Sequence, residues 1–351
     1  MVRRVFEDDA YADRAFAVAA ANLDQRDRAL AQRIAYGTVQ RVRTIDYGID
    51  ALGRRPTRKL DPAVLAALRI AGYELAWSEA PAHAVADDAV ELVRAAHLER
   101  ATGFTNAVCR RLAEGFRGLV ASLPEGALKN SYPDWIHETW LRDWGEQEAF
   151  ALEHAQNEPP PLEDYRGVSR ASRLAAEVVG SQPGERVLDA CAAPGNKTLL
   201  LAGEVTAVEV NPARARVLAE RVPANVRVVN ADLRELAESG FDRALVDAPC
   251  SGLGVLNRRP DLRWRARPLP ELQLELLGAA AERTRTGGTI VYSVCTLNAD
   301  ENEAVVDASG LEPEPLGEEW PEFAHPKRPE FLLTMPHRHG TSGFFIAKLK
   351  R

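Results

Sequence analysis

Cysteine is scarce in this chain of 351 residues: there are four, at positions 109, 191, 250 and 295. Spacings that wide match neither a disulfide framework nor a zinc cluster, and isolated thiols suit a reducing cytoplasm, the localisation expected here. No apolar run reaches the roughly 18 residues that a membrane-crossing helix needs. The opening MVRRVFEDDAYADR has no apolar stretch ahead of its acidic cluster, so no secretory signal is expected. Positive charge is not in excess either. The net charge is −7, which excludes a protein that holds polyanions by its mean field. A GxxxxGK[ST] phosphate loop, a GxGxxG fingerprint, internal repeats and low-complexity tracts are all missing. What is present is ordinary for a folded chain, 46% hydrophobic and 27% charged residues. At roughly 100–200 residues per domain, the length predicts two or three domains.

Charge and patterning divide the chain. Residues 1–124 carry 18 Lys and Arg against 16 Asp and Glu, and the remainder 26 against 35, so any nucleic-acid contact must use local basic patches. Residues 1–122 read as a helical bundle, with apolar residues recurring at i, i+3, i+4. In DRALAQRIAYGTVQRVRTIDYGIDAL, Leu30, Ile34, Val39 and Val42 are expected on one face, and Asp61-Pro62 pairs a cap with a proline at the first helical position. Residues 123–183 read as a connector with one helix or two, rich in tryptophan (Trp135, Trp140, Trp144) and stopped by Pro159-Pro160-Pro161. Residues 184–351 alternate short β-branched runs (ERVLDA, TAVEV, VRVVN, RALVDA, GTIVYS) with helical stretches, which predicts βαβ units, a mainly parallel sheet and a closing hairpin.

The segment ERVLDACAAPGNKT reads as strand, small-residue turn and helix start, a place where backbone approaches a ligand. Asp189 ends the first strand, and Cys191, Ala192, Ala193, Pro194, Gly195 and Asn196 form the turn. Glu209 ends the second strand about 20 residues on, where an acid accepts hydrogen bonds from ribose hydroxyls. Asp232 follows the third strand, within reach of a base. Three acids around one crevice suit a ligand with a ribose and a cationic centre, and S-adenosylmethionine has both. Asp247-Ala248-Pro249-Cys250 closes the fourth strand, and Cys295 follows the fifth, so both thiols are expected on the cofactor rim. Cys109 is expected in the helical core and Cys191 in the loop as packing. His337 and His339 lack further ligands, and no metal is expected. Residue logic alone does not order Cys250 and Cys295.

DACAAPGNKT, DAPCSGLGVLNRRPDLRW and YSVCTLNADENE resemble the signature segments of the RsmB/Sun family of RNA cytosine-5 methyltransferases. DRALAQRIAYGTVQR, LDPAVLAALRIAGYEL, HAVADDAVELVR and GFTNAVCRRLAEG resemble the NusB-like RNA-binding domain fused to bacterial members, and PHRHGTSGFFIAKL is similar to that family's last hairpin. The chain departs from the family at Asn196, where a second glycine is usual, and at Ser342, where an acid is usual. Its stretch between bundle and first strand is also short. The resemblance implies an N-terminal NusB-like bundle and a Rossmann-like, S-adenosylmethionine-dependent methyltransferase domain. It implies methylation of cytosine C5 in RNA, with 16S rRNA or a small-subunit assembly intermediate as the expected substrate. The rivals are a tRNA substrate, a noncatalytic assembly factor that has kept the fold, and a small-molecule methyltransferase. By the same resemblance Cys295 is the nucleophile and Cys250 assists proton removal or product release. Asp247 serves cytosine N3 beside the cofactor, and Lys197 orients Asp247 and stabilises thiolate. DNA cytosine-5 enzymes use the cysteine of their Pro-Cys segment, which would instead point to Cys250. The target base must leave its stack to react. Arg258, Arg259, Arg263, Trp264 and Arg265 are the expected RNA contacts, through phosphates and stacking. A monomer is expected.

Overall fold

The computed structural model describes residues 1–161 and 168–351, so part of the expected connector, 162–167, lies outside the described residues. Contacts divide the chain into two units. One comprises Met1–Pro159 together with Leu256–Arg265, and the other Pro160–Val255 together with Ala266–Arg351. The expected connector is thus shared out. Its helices Asp134–Trp144 and Glu146–Ala155 belong to the first unit, and Arg170–Val179 to the second.

The first unit is helical. Pro62–Trp77 starts as expected, with the Asp61 carboxylate accepting from the Ala63 N–H at 2.9 Å and Pro62 in the first turn. This helix, Val42–Gly53, Ala82–Ala95 and Thr102–Ser122 enclose a core of Ile45, Ile49, Leu68, Val93, Val108, Leu112 and Phe116, with the buried thiol of Cys109 among them. Burial pushes that thiol up to about 12, which makes it inert packing. The expected face of Leu30, Ile34, Val39 and Val42 is broken. Arg41 leaves helical geometry (φ −96°, ψ 9°), so Gln25–Gln40 and Val42–Gly53 are separate helices, each with its own phase. Val39 and Val42 are buried, whereas Leu30 is 50% exposed.

The second unit is built on a sheet of β1 (Arg186–Asp189), β2 (Glu204–Val208), β3 (Arg227–Val229), β4 (Phe241–Asp247), β5 (Thr284–Val294), β6 (Glu312–Glu314), β7 (Leu332–Thr334) and β8 (Phe344–Lys350). The order is β3-β2-β1-β4-β5-β8-β6, with β7 also paired to β8. The five strands expected from sequence pair in parallel, and β8 runs antiparallel to β5, β6 and β7. The closing hairpin is β7–β8, and its turn contains the short helix Pro336–His339. One face of the sheet packs on Arg170–Val179 through Leu174, Ala175, Val178 and Val179. Two glycines bring the Cys250 loop, the Cys295 loop and the hairpin into backbone contact. Gly254 N–H donates to the Cys295 carbonyl at 3.0 Å, and Gly343 N–H donates to the Gly254 carbonyl at 2.8 Å. A Cβ on Gly254 would lie 2.0 Å from the Gly343 oxygen, so only glycine fits there.

Candidate active site

The carboxyl ends of β1, β4 and β5 carry the reactive side chains, as the parallel pairing requires. The β4 register places Asp247 beside Ser293, and the Ser293 hydroxyl donates to Asp247 Oδ1 at 3.0 Å. Lys197 Nζ, buried, donates to Asp247 Oδ2 at 2.7 Å and sits 4.8 Å from the centre of the Phe344 ring. This ammonium is therefore aimed at the strand ends.

Cys250 and Cys295 are both partly exposed, with Sγ atoms 3.4 Å apart, a hydrogen-bond distance for sulfur. The charges around the pair break its symmetry. The hydrogen bond from Cys250 lowers the Cys295 thiol below its ordinary value, against burial and the Asp247 charge, and the Lys197 cation helps. Sharing its proton with Cys295 raises the Cys250 thiol, and burial and the Glu301 carboxylate raise it further. The two thiols are thus unequal, Cys295 being the more acidic and Cys250 the less acidic.

The loop after β1 runs over Ala190–Lys197 with a cis bond between Ala193 and Pro194. The expected helix start is not there: the loop leads into a single 3₁₀ turn, Thr198–Leu200. The chain leaves that turn at once, reaching Gly203 (φ +90°) and β2, so the loop opens no α-helix. Backbone lines the loop instead. Ala192 N–H donates to the Val208 carbonyl at 3.0 Å, Gly195 (φ +97°) N–H donates to the Ala192 carbonyl at 2.7 Å, and Asn196 Oδ1 accepts from Arg221 at 2.9 Å. The Cys191 thiol is pushed up by burial and by the Asp189, Asp247 and Glu209 carboxylates, consistent with lining rather than reactivity.

Asp189 is 1% exposed. Its Oδ2 accepts from the Thr198 hydroxyl at 2.7 Å, and its Oδ1 is buried without a partner. Burial raises this carboxyl to about 7, with the Asp247 charge adding to the effect. A folded-state value above the ordinary 3.8 makes a contribution that is full below that value and is lost as pH rises towards 7. The thermal midpoint of Asp189→Asn should therefore gain on that of the wild type between pH 4 and 8 without ligand; parallel midpoint curves would show that Asp189 does not titrate there. Glu209 is buried, with Oε1 accepting from the Asn211 N–H at 2.8 Å. Asp232 caps the turn Leu233–Glu235 and pairs with Arg234 at 2.6 Å; that hydrogen bond lowers its carboxyl to about 2.

The segment after the Cys250 loop corrects the expectation for RNA contacts. Arg263 is fully buried in the helical unit. Its Nη1 donates to the Gln40 and Ser131 carbonyls and to Asn157 Oδ1, and its Nη2 donates to the Tyr132 hydroxyl and the Gln156 carbonyl, at 2.8–3.3 Å. Its guanidinium lies 3.8 Å from the Tyr132 ring centre, and burial lowers it to about 10. Such an arginine is out of reach of a phosphate. Trp264 donates its indole N–H to the Val39 carbonyl at 2.7 Å and packs with Val5, Ala12 and Val39, so its ring is also engaged internally. Arg265 donates to the Asp9 carbonyl at 2.7 Å and lies over Tyr11. Arg258 and Arg259 keep partial exposure. Sequence reasoning missed Glu301, Gln273 and Ser251, which form a buried network beneath the thiols. ENE and LQLE carry no local mark of burial.

Among the described residues no group of three or more His, Cys, Asp and Glu is placed to hold a metal, and no helix is long and apolar enough to cross a membrane.

Comparison with known proteins gives a consistent family result. Residues 176–350 match the family model described as 16S rRNA methyltransferase RsmB/F, and residues 1–114 match the NusB family. The ribosomal RNA small subunit methyltransferase B of Thermus thermophilus is 33% identical, covering 93% of this chain and 89% of its own. That of Pseudomonas syringae pv. tomato is 28% identical, covering 93% and 90%. Among solved structures, PH0851 superposes with a TM-score of 0.79 at 21% identity over 100% of this chain and 96% of its own, a likeness of fold.

Proposed function

The chain belongs to the RsmB/F family of 16S rRNA methyltransferases and uses S-adenosylmethionine, and from that premise we propose that it methylates C5 of cytosine in 16S rRNA through a covalent Cys295 adduct. The observation that carries this reading is the thiol pair, 3.4 Å apart with the Lys197–Asp247 pair close by. Cytosine C5 is a weak nucleophile. A Cys295 thiolate adding to C6 makes C5 enamine-like and splits one hard step into easier ones. S-adenosylmethionine supplies an electrophilic methyl group. The unpartnered Asp189 Oδ1 fits a ligand that brings a cation or N–H donor, the small-residue loop Ala190–Asn196 lets the ligand approach the backbone, and Glu209 and Asp232 suit ribose and base. As charge grows at N3, a proton passes to it from Lys197 through Asp247. After methylation the C5 proton leaves to a base, with Cys250 adjacent to assist. The C6–S bond then breaks, its electrons return to Cys295, and N3 gives back its proton. The partly exposed Arg258 and Arg259 are the proposed phosphate contacts.

The test is tritiated methyl transfer to unmodified 16S rRNA and to tRNA, followed by base analysis. The reading expects 5-methylcytidine in 16S rRNA. Label in tRNA alone, or in another base, would overturn it. Absence of label with cofactor binding intact would move the reading to a noncatalytic factor or to a substrate presented only by an assembling subunit.

A further inference from the structure

Beneath the thiols lies a buried carboxylate that the proposed chemistry does not use. Glu301 is 0% exposed. Its Oε1 accepts from the Ser251 N–H at 2.9 Å, the Leu269 N–H at 3.1 Å and Gln273 Nε2 at 3.0 Å. Its Oε2 accepts from the Ser251 hydroxyl, from the Thr296 hydroxyl at 3.4 Å and from Asn298 Nδ2 at 3.5 Å. No lysine or arginine is among these donors. Ser251 follows Cys250 and Thr296 follows Cys295, and their hydroxyls are themselves 2.7 Å apart. Gln273 also donates to the Pro249 carbonyl at 2.9 Å, and the Tyr292 hydroxyl donates to the Glu301 carbonyl at 2.7 Å. The Glu301 side chain thus joins both cysteine loops to the helix Pro270–Arg283, and its main-chain carbonyl ties them to β5.

We infer that Glu301 is a positioning residue that holds the two thiols together and decides which of them keeps the shared proton. The inference gives the covalent reading above its order of roles, and rests on that reading for its use in catalysis. Its physical basis is an arrangement of opposite charges. The Lys197 cation lowers the Cys295 thiol, with the Asp247 charge opposing it. The Glu301 charge raises the Cys250 thiol, and Tyr292 stands near both Cys250 and Glu301. A carboxylate held by six donors cannot turn away to relieve repulsion, so a negative Cys250 is disfavoured as long as that cage is intact. Sequence spacing supports a fixed role: five residues separate Cys295 from Glu301, and the segment turns back on itself through the Glu301 N–H to Asn298 carbonyl bond at 3.0 Å.

The test needs no RNA. Iodoacetamide labelling at low extent, across pH 6–10 and read peptide by peptide, gives the midpoint of each thiol in the full-length protein. In the wild type Cys295 should react first, with its midpoint at a lower pH than that of Cys250. Glu301→Gln should narrow that gap, because the charge is gone while the shape is kept. Ser251→Ala removes one donor and no charge, and should move the midpoints less. Co-titration or reversed order in the wild type overturns the inference even if Glu301→Gln fails to fold. So does an unchanged gap in Glu301→Gln, or an equal shift in both variants, which would make Glu301 only a strut. The expected labelling order with methyl found on a base other than cytosine would remove the cytosine reading and leave this one standing; transfer to cytosine with the wrong order would do the reverse.

Discussion

Cys295→Ala should abolish methyl transfer to RNA, by on the order of a thousandfold or more, since a lost nucleophile removes the covalent route itself. Cys250→Ala should behave differently: the adduct still forms, but its breakdown slows, so protein linked to RNA accumulates and survives a denaturing gel. The two outcomes separate the thiols although they lie 3.4 Å apart and share one hydrogen bond. The basis for the order is electrostatic. The Cys295 thiol is lowered by its Cys250 partner with the Lys197 cation helping, whereas the Cys250 thiol is raised by that same bond, by burial and by Glu301. Adduct trapped by Cys295→Ala, with Cys250→Ala inactive and free of RNA, would exchange the roles. Both variants should bind S-adenosylmethionine as the wild type does, because neither thiol belongs to the loop after β1.

The largest loss of stability is expected from Arg263→Met. The guanidinium is surrounded by five neutral acceptors, the Gln40, Ser131 and Gln156 carbonyls, Asn157 Oδ1 and the Tyr132 hydroxyl. Methionine fills part of the volume and satisfies none of them. Orphaning buried acceptors costs about 1–3 kcal/mol each when water cannot enter, so a loss of at least about 3 kcal/mol is expected after relaxation. Tryptophan fluorescence reports it well, because Trp77, Trp135, Trp140, Trp144 and Trp264 lie in the helical unit and Trp320 in the other. With an m-value of about 1–3 kcal/mol/M, the urea midpoint of that signal should fall by about 1–3 M. A midpoint within about 0.3 M of the wild type would return Arg263 to the list of surface contacts.

Much of the fold was legible because its signals are local. A β-branched run followed by a small-residue turn identifies β1, β4 and β5 in turn, and the ends of parallel strands place Asp189, Asp247, Cys250 and Cys295 on one rim. Asp61-Pro62 starts a helix for reasons contained in two residues. The illegible parts depend on partners distant in sequence. Arg263 and Trp264 read as an exposed basic and aromatic pair because composition cannot show that Tyr132, Gln156 and Val39 await them. Glu301 reads as one acid in ENE until the Ser251 and Gln273 donors are beside it. The helix expected after Lys197 shrinks to one turn because the chain must reach β2 within a few residues, a constraint set by sheet order.

The membership of Leu256–Arg265 in the helical unit bears on how the protein is made. A ribosome that has released Pro159 has not yet supplied Arg263, whose donors complete the interior around Tyr132. About 100 further residues must emerge first, which takes roughly 5–20 s at about 5–20 residues per second. During that interval the N-terminal part waits with its polar interior unsatisfied, while β1 to β4 are already being delivered. The first part of the protein to be synthesised therefore cannot be finished until β1 to β4 of the second have been made.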